Sequence, residues 1–386
     1  MGGDNSKMKK IAIIGATGSI GRSALSVVRA HAPRFRVTAL IGGGNATALA
    51  AQIAEFQPPV AALRDEKAAR ALARNFPDTK IYGGETGIAE CLQASGAEIC
   101  VSAFGGIAGL LPTLTAMDCG MDIALANKES LVAAGVIVKR RAQLRGVKIL
   151  PVDSEHSALR QCLAGSEISR VRRAIITASG GAFLHRTNLS AVTPADALNH
   201  PTWSMGKKIT IDSATLANKA LEAIEAHFLF DLPYDKIEVW IHPQSVVHGA
   251  VEFIDGALVA QLAVPDMRLP ILQALSGGEH LPDGVPPLTL AQMANLTFAA
   301  PDAEKYPLLR LGLTAGRQGG LAPAVFSAAN EAAVLAFLAG EIRYPQIAAL
   351  VEKCLARVPS GEATLANILS ADRAAAAFCR AEIERS

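Results

Sequence analysis

Two carboxylates, Asp153 and Glu155, flank Ser154 directly after a short apolar run. On an extended backbone residues i and i+2 point the same way, so this pair would repel unless a cation or a proton lay between them. The same spacing also suits a helix start, with Asp153 or Ser154 as the N-cap and Glu155 in the favourable first turn. A second polar group follows Ser213. A helix over 213–230 places Thr215, Asn218, Lys219, Glu222 and Glu225 on one stripe, with Leu216, Ala220, Leu221, Ile224 and Phe228 opposite. Most polar stripes are simply solvated faces. This one mixes donors and acceptors suited to a polyhydroxy phosphate, and Asp212-Ser213-Ala214-Thr215 at its start is expected to offer a helix N-terminal anion site. An oxygen from Glu222 would join Asp153 and Glu155 in an open, all-oxygen site. Such a site selects Mg2+ or Mn2+ over zinc and would polarise a carbonyl and an adjacent hydroxyl together.

A different chemistry is written near the start. Ile11–Ile14 reads as a buried strand, and Gly15-Ala16-Thr17-Gly18-Ser19-Ile20-Gly21 follows it as a glycine turn opening a helix. Gly15 permits the tight turn, Gly18 lets backbone amides approach a pyrophosphate, and Gly21 permits close helix–strand packing. The spacing is GxxGxxG, which is less specific than GxGxxG. The second strand ends in Leu40-Ile41-Gly42-Gly43-Gly44-Asn45 without the carboxylate that holds a ribose 2′-hydroxyl in NAD sites. That absence favours NADP. No Arg or Lys stands in the turn either, so a 2′-phosphate would rest on backbone amides, Asn45 and some residue that the pattern does not identify.

These residues need elements to hold them. Short apolar runs at 11–14, 36–41, 60–63, 99–103, 122–126 and 148–152 alternate with helical stretches, the pattern of a parallel, doubly wound α/β sheet. After Asp153 the runs at 172–177, 236–241, 245–253 and 257–264 lie closer together, with Asp255-Gly256 as a hairpin turn. Three Ala/Leu-rich helical stretches at 323–338, 344–358 and 363–383 end the chain. The expected organisation is therefore α/β: an N-terminal Rossmann-like domain over 1–153, a central α+β catalytic domain over 154–285, a connector over 286–312 and a small C-terminal helical bundle over 313–386.

Composition narrows the function classes. A formal charge of +2 offers no footprint for nucleic acid or an anionic membrane, which leaves a small molecule as the partner. No apolar run reaches the roughly 18 residues of a membrane span. The six cysteines are scattered without CxxC spacing and read as reduced, mostly buried thiols. With no secretory or transit pattern before the first strand, a cytoplasmic location is expected. Met1-Gly2-Gly3-Asp4-Asn5-Ser6 formally fits an acylation pattern, but so short a pattern often matches by chance and an ordinary tail is the expected reading.

Several ordered segments together resemble the 1-deoxy-D-xylulose 5-phosphate reductoisomerase family. They are Gly15–Gly21, Ala126-Asn127-Lys128-Glu129-Ser130-Leu131, Pro151–His156, Ala178-Ser179-Gly180-Gly181, His200–Lys208, Asp212 through Glu225, His242–His248 and Ala328-Ala329-Asn330-Glu331. The resemblance implies NADPH- and metal-dependent isomerisation and reduction of a phosphorylated ketose to 2-C-methyl-D-erythritol 4-phosphate, in isoprenoid precursor biosynthesis, by a homodimer. It implies a divalent ion (Mg2+ or Mn2+, with Co2+ a further option) on Asp153, Glu155 and Glu222. Lys128 and Glu155 would act with it in catalysis. Substrate contacts would come from Lys128, Ser154, Glu155, Ser179, His200, Trp203, Ser213, Asn218, Lys219 and Glu222, with His200–Lys208 as a mobile lid. NADPH would meet Thr17, Gly18, Ser19, Ile20, Gly43, Gly44, Asn45, Asn127, Glu129 and Gly206. Gly44 departs from the pattern, standing where a basic residue is common.

The rival readings are an NADP-dependent semialdehyde or homoserine dehydrogenase and a non-catalytic NADP sensor. A thiol-dependent semialdehyde enzyme needs a nucleophilic cysteine in a loop, whereas Cys162 falls mid-pattern in a helix. A sensor has no use for three convergent carboxylates. His156 and His248 read more readily as structural histidines than as catalytic ones.

Overall fold

The computed structural model describes residues 8–203, 205–282 and 284–385; the segment Met1–Ser6 with its acylation-like pattern lies outside them, as does Ser204 within the expected lid. The first elements are β1 (Lys9–Ile14), α1 (Ser19–Ala30), β2 (Phe35–Gly42), α2 (Ala46–Phe56), β3 (Val60–Leu63), α3 (Glu66–Ala73), β4 (Lys80–Gly83), α4 (Gly84–Ala94), β5 (Ile99–Ser102), α5 (Leu110–Asp118), β6 (Asp122–Leu125), α6 (Lys128–Arg145) and β7 (Ile149–Pro151). There follow α7 (Ser154–Cys162), β8 (Val171–Ala178), α8 (Pro194–Ala197), α9 (Lys207–Thr215), α10 (Ala217–Phe230), β9 (Ile237–Ile241), β10 (Val247–Phe253), β11 (Leu258–Leu262), α11 (Arg268–Ser276), α12 (Leu290–Met293), α13 (Pro307–Gln318), α14 (Ala322–Leu338), α15 (Tyr344–Leu355) and α16 (Leu365–Glu384).

The chain divides into two units. The first holds the residues up to Asn127 together with Val138–Asp153 and Met267–Val285. Its sheet runs β4-β3-β2-β1-β5-β6-β7 with every neighbouring pair parallel. Parallel strands covered by helices on both faces must be apolar throughout, which is why β1, β3 and β5 read as plain apolar runs. Strand order reverses between β1 and β5, and ligands of open α/β sheets bind in the crevice beyond the carboxyl ends at such a point. The expected doubly wound sheet is thus present. It carries one strand more than the sequence suggested, because β4 (Lys-Ile-Tyr-Gly) is a short, half-exposed edge strand without an apolar run. Met267–Val285 sits with this unit, not with the segment that precedes it in the chain. Ile271, Leu272, Ala274 and Leu275 of α11 fill its core, and Lys9 Nζ donates to Leu275 O at 3.1 Å.

The second unit holds Lys128–Ile137, Ser154–Asp266 and the chain from Pro286. Its sheet runs β11-β10-β8-β9, with β8 and β9 parallel and the other pairs antiparallel. Leu159 of α7 and Ala223 and Ala226 of α10 pack against Val171, Ile176, Ile237 and Val251 of this sheet. The expected hairpin turn is present at Asp255-Gly256, where Gly256 has φ +91° and the Asp255 carboxylate accepts from Ala257 N. The helical end is built on α14, an alanine-rich helix buried on nearly every side. A further helix, α13, occupies the end of the expected connector and continues beyond it, with Gly312 allowing Ala220 of α10 to approach.

Two local expectations are corrected. The helix predicted over 213–230 is two helices, because Leu216 takes a left-handed conformation (φ 56°) between α9 and α10. Asp212–Thr215 therefore closes α9 instead of opening a helix, so it forms no helix N-terminal anion site. The second concerns Asp153 and Glu155: of the two readings of their spacing, the extended pair is absent and the helix start is present, since α7 begins at Ser154 and Glu155 lies in its first turn.

Candidate metal and substrate site

The polar stripe of α10 is buried, not solvated. Asn218, Lys219, Glu222 and Glu225 are all buried, and Glu222 is 0% exposed. A carboxylate cannot be left alone in such a place, and its partners are concentrated around it. Lys219 Nζ lies 2.5 Å from Glu155 Oε1 and 2.7 Å from Glu222 Oε2. Lys128 Nζ lies 3.5 Å from Glu222 Oε1 and donates to Asn218 Oδ1, while Asn218 Nδ2 donates to that same Glu222 oxygen. Ser154 Oγ donates to Glu155 Oε2 at 2.5 Å. Asp153, the residue leading into α7, offers an oxygen within 4.8 Å of ligand oxygens of Glu155 and Glu222. The Lys219 ammonium thus sits between two acids where mutual repulsion calls for a cation.

Neighbouring groups fix this arrangement. His156 Nε2 lies 2.8 Å from the Glu222 carbonyl, which can only accept, so the ring carries its proton on Nε2. Its Nδ1 lies 3.8 Å from Glu225 Oε2, and Asp153, His156 and Glu225 form a second group of possible ligands within 4.8 Å. His156 therefore holds the α10 backbone at Glu222.

A second cluster surrounds His200. Its Nδ1 accepts from the backbone N–H groups of Thr202 and Trp203 at 3.2 and 3.0 Å. Its Nε2 therefore bears the proton and faces the hydroxyls of Ser179 at 3.0 Å and Ser213 at 3.2 Å. Burial, and then the charge of Lys219, hold the ring below its ordinary pKa, consistent with the neutral form. Ser179 is placed by the turn after β8. There Gly181 (φ +68°) packs so closely on α9 that a Cβ would stand 2.5 Å from Ala214 Cα. Trp203 is half-buried, its ring 6.0 Å from that of His248. Burial pushes His248 down despite the opposing charge of Glu155. His242 is a structural pin, donating from Nδ1 to Thr297 O and accepting at Nε2 from Val246 N and Val247 N.

Lys208 forms a hub that spacing did not single out. Its ammonium lies 3.1 Å from Glu129 and 2.8 Å from Asp212, which also accepts from Asn330 Nδ2 at 2.8 Å. Burial alone would lower the Lys208 pKa, but Asp212 and Glu129 raise it beyond the ordinary lysine range. The available signal was the i,i+4 pairing of Lys208 with Asp212 on one helix.

The glycine turn has the shape expected of it. Gly15 has φ +81°, and a Cβ there would meet Ala103 O at 2.4 Å; a Cβ at Gly21 would meet Gly15 O at 2.3 Å. Gly18 is the N-cap of α1 without a side-chain cap, and Thr17, Ser19 and Ile20 are at least partly exposed beside it. Gly43 and Gly44 border open space, and Asn45 Oδ1 caps α2 by accepting from Ala48 N at 3.0 Å. Asn127 is buried, its amide donating to Phe104 O and Gly106 O at 2.7 and 2.9 Å, which braces the loop after β5. Glu129 and Gly206 belong to the second unit, Glu129 on Lys208 and Gly206 as the N-cap of α9.

A doubly wound sheet with a tight glycine turn, joined in one chain to a buried three-carboxylate centre, defines a nicotinamide-dependent oxidoreductase that uses a hard divalent metal. Residues 11–135 match the 1-deoxy-D-xylulose 5-phosphate reductoisomerase domain, residues 149–230 its C-terminal domain and residues 262–378 a further DXP reductoisomerase C-terminal domain. The chain belongs to the 1-deoxy-D-xylulose 5-phosphate reductoisomerase family. It is 49% identical to the Gloeobacter violaceus enzyme of that name, over 98% of each chain. Identity to the Moorella thermoacetica enzyme is 52%, over 94% of this chain and 95% of the other. A crystal structure of DOX-P reductoisomerase with NADPH, fosmidomycin and magnesium superposes with a TM-score of 0.93 at 40% identity, over 98% of each chain. The Zymomonas mobilis enzyme with NADPH gives 0.91 at 38% identity, over 98% of this chain and 100% of the other.

Proposed function

We propose that the buried cluster on α7 and α10 is the centre at which this chain rearranges 1-deoxy-D-xylulose 5-phosphate and, with NADPH, reduces the product to 2-C-methyl-D-erythritol 4-phosphate. The observation that carries this is the convergence of Asp153, Glu155 and Glu222 within 4.8 Å, with Glu222 fully buried. The donor set fits a hard cation: three carboxylate oxygens with no thiolate among them, two of them already straddling a lysine ammonium. These three residues would hold Mg2+ or Mn2+, with Co2+ as a substitute. When bound, the ion supplies Lewis acidity to the substrate's carbonyl and hydroxyl oxygens, and NADPH supplies the hydride.

The chain's own residues do the rest. Lys128 is buried beside Glu222 and offers a fixed positive charge for the oxyanion that develops as the carbon–carbon bond breaks and re-forms. Ser154 orients Glu155, which is placed to relay a proton. Ser179, Ser213 and Asn218, with the neutral His200 donating from Nε2, supply hydrogen bonds for the phosphate, and Lys219 supplies charge once relieved of its place between the acids. Trp203 and the segment 200–208 serve as a lid that excludes water. Thr17, Gly18, Ser19, Ile20, Gly43, Gly44, Asn45, Asn127, Glu129 and Gly206 are assigned to NADPH. The proposed domain limits remain 1–153, 154–285, 286–312 and 313–386, with residues 267–285 lending α11 to the nucleotide-binding unit. A homodimer and a cytoplasmic location complete the reading. Among the described residues no helix is long and apolar enough to cross a membrane.

The test is NADPH oxidation with 1-deoxy-D-xylulose 5-phosphate, run with and without Mg2+ or Mn2+, for wild type and Glu222→Gln. Wild-type turnover is expected to require the metal and to fall by about 100-fold or more in the variant, the scale on which a lost electrostatic partner acts. Metal-independent turnover, or a variant with wild-type rates, would refute the assignment.

A further inference from the structure

We propose that Arg64 is the side chain that recognises the 2′-phosphate of NADPH, in place of the basic residue that the turn after β2 lacks. This rests on NADPH being the cofactor. Arg64 directly follows β3, and its backbone N–H is shared between Gly42 O and Gly43 O, 3.1 Å from each. It is therefore tied to the turn at which dinucleotide folds choose between a ribose hydroxyl and a ribose phosphate. That turn has no acid and no base, Gly43 and Gly44 leave open space around it, and Asn45 Oδ1 is occupied by the cap of α2.

The guanidinium is held in a prepared geometry. Its central carbon lies 4.7 Å from the centroid of the Phe104 ring, and Phe104 N would stand 3.0 Å from a Cβ on Gly15. The stack thus stands beside the glycine turn, at the carboxyl edge of the sheet. Nε lies 2.7 Å from Glu85 Oε1 in the first turn of α4, but neither Nε nor Nη2, both covered, makes an aligned hydrogen bond. Glu85 is itself 61% exposed, so its ion pair with Arg64 is a weak competitor for a dianionic phosphate. A planar guanidinium that is 38% exposed and fixed by an aromatic face next to an open turn matches a phosphate in shape and charge.

NADPH and NADH differ only in that phosphate. Fluorescence titration of the whole metal-free protein with each, for wild type, Arg64→Gln and Arg64→Lys, reads the contact without turnover. Arg64→Gln should weaken NADPH binding by about tenfold or more and leave NADH binding within about twofold, the size of a lost charge-assisted contact. Arg64→Lys should fall between, since it keeps the charge and loses the fork. Equal losses for both nucleotides would mean that Arg64 packs or stacks without reading the phosphate, and unchanged NADPH binding would remove it from the site. Either result overturns the proposal while leaving NADPH as the cofactor. A wild type that does not distinguish NADPH from NADH would overturn the cofactor assignment and the proposal together.

Discussion

Lys208 shows how much a single side chain can settle. It neutralises Glu129 and Asp212, and it offsets the burial that pushes Glu331 above the ordinary carboxylate range. Lys208→Met keeps the length of the stem and removes only the charge that faces Glu129 and Asp212. Removing one partner of a buried pair costs about 3 kcal/mol or more, so urea unfolding should show a loss of that order. A loss under about 1 kcal/mol would place the pair among ordinary surface contacts. His200 makes a related point about legibility. Its presence in a polar loop was evident, but its tautomer follows only from the two backbone amides that occupy Nδ1.

Among the elements, α1 and its turn were the most readable. The three glycines announce a close approach, and the structure supplies the distances. A Cβ at Gly21 would lie 2.3 Å from Gly15 O and 2.5 Å from Ala16 O, backbone atoms that cannot step aside. Gly21→Ala must therefore displace α1 from the turn. It should weaken NADPH binding by about tenfold or more and cost about 1–3 kcal/mol of stability. Nucleotide titration and thermal melting check both; wild-type affinity with an unchanged melt would mean that the turn relaxes freely. Other elements were opaque for stated reasons. β4 lacks an apolar run because it lies on the sheet edge. The break at Leu216 could not be foreseen, since leucine rarely adopts positive φ and nothing local favours it there. α11 was not read from the sequence at all, because Pro270–Leu275 is buried on every side and shows no alternation of apolar and polar faces.

For the whole molecule, pH is the broadest probe. Burial holds His200, His242 and His248 below the ordinary 6.5, so the unfolded chain binds protons there more readily than the folded one. Their contribution to stability is present above 6.5 and is lost as pH falls through their lower folded values. Asp372 on α16 has the opposite sign. Burial raises its carboxyl from 3.8 to about 6, so its contribution is complete below 3.8 and is lost as pH rises through about 6. Asp372→Asn should therefore stabilise the protein by about 1 kcal/mol at pH 8, after allowing for solvent screening of a half-buried group, and leave it unchanged near pH 4. Melting curves of both proteins at the two pH values decide it, and a gain of equal size at both would refute the sign.

The sequence by itself determined what local chemistry can encode. Buried parallel strands had to be apolar on both faces, the turns at Gly15 and Gly256 needed positive φ, and many short ordered segments together pointed to one family. Tertiary structure decided which polar groups are buried and what they face. Lys128 and Glu222 are 94 residues apart. A stripe with helical spacing reads the same whether it meets solvent or a sheet, and only packing placed Glu155, Lys128 and Asp153 against it. Arg64 is likewise one basic residue after a strand, with no spacing to mark it. Periodicity reports how a segment meets its nearest surroundings, whereas burial of charge depends on partners brought in from far along the chain.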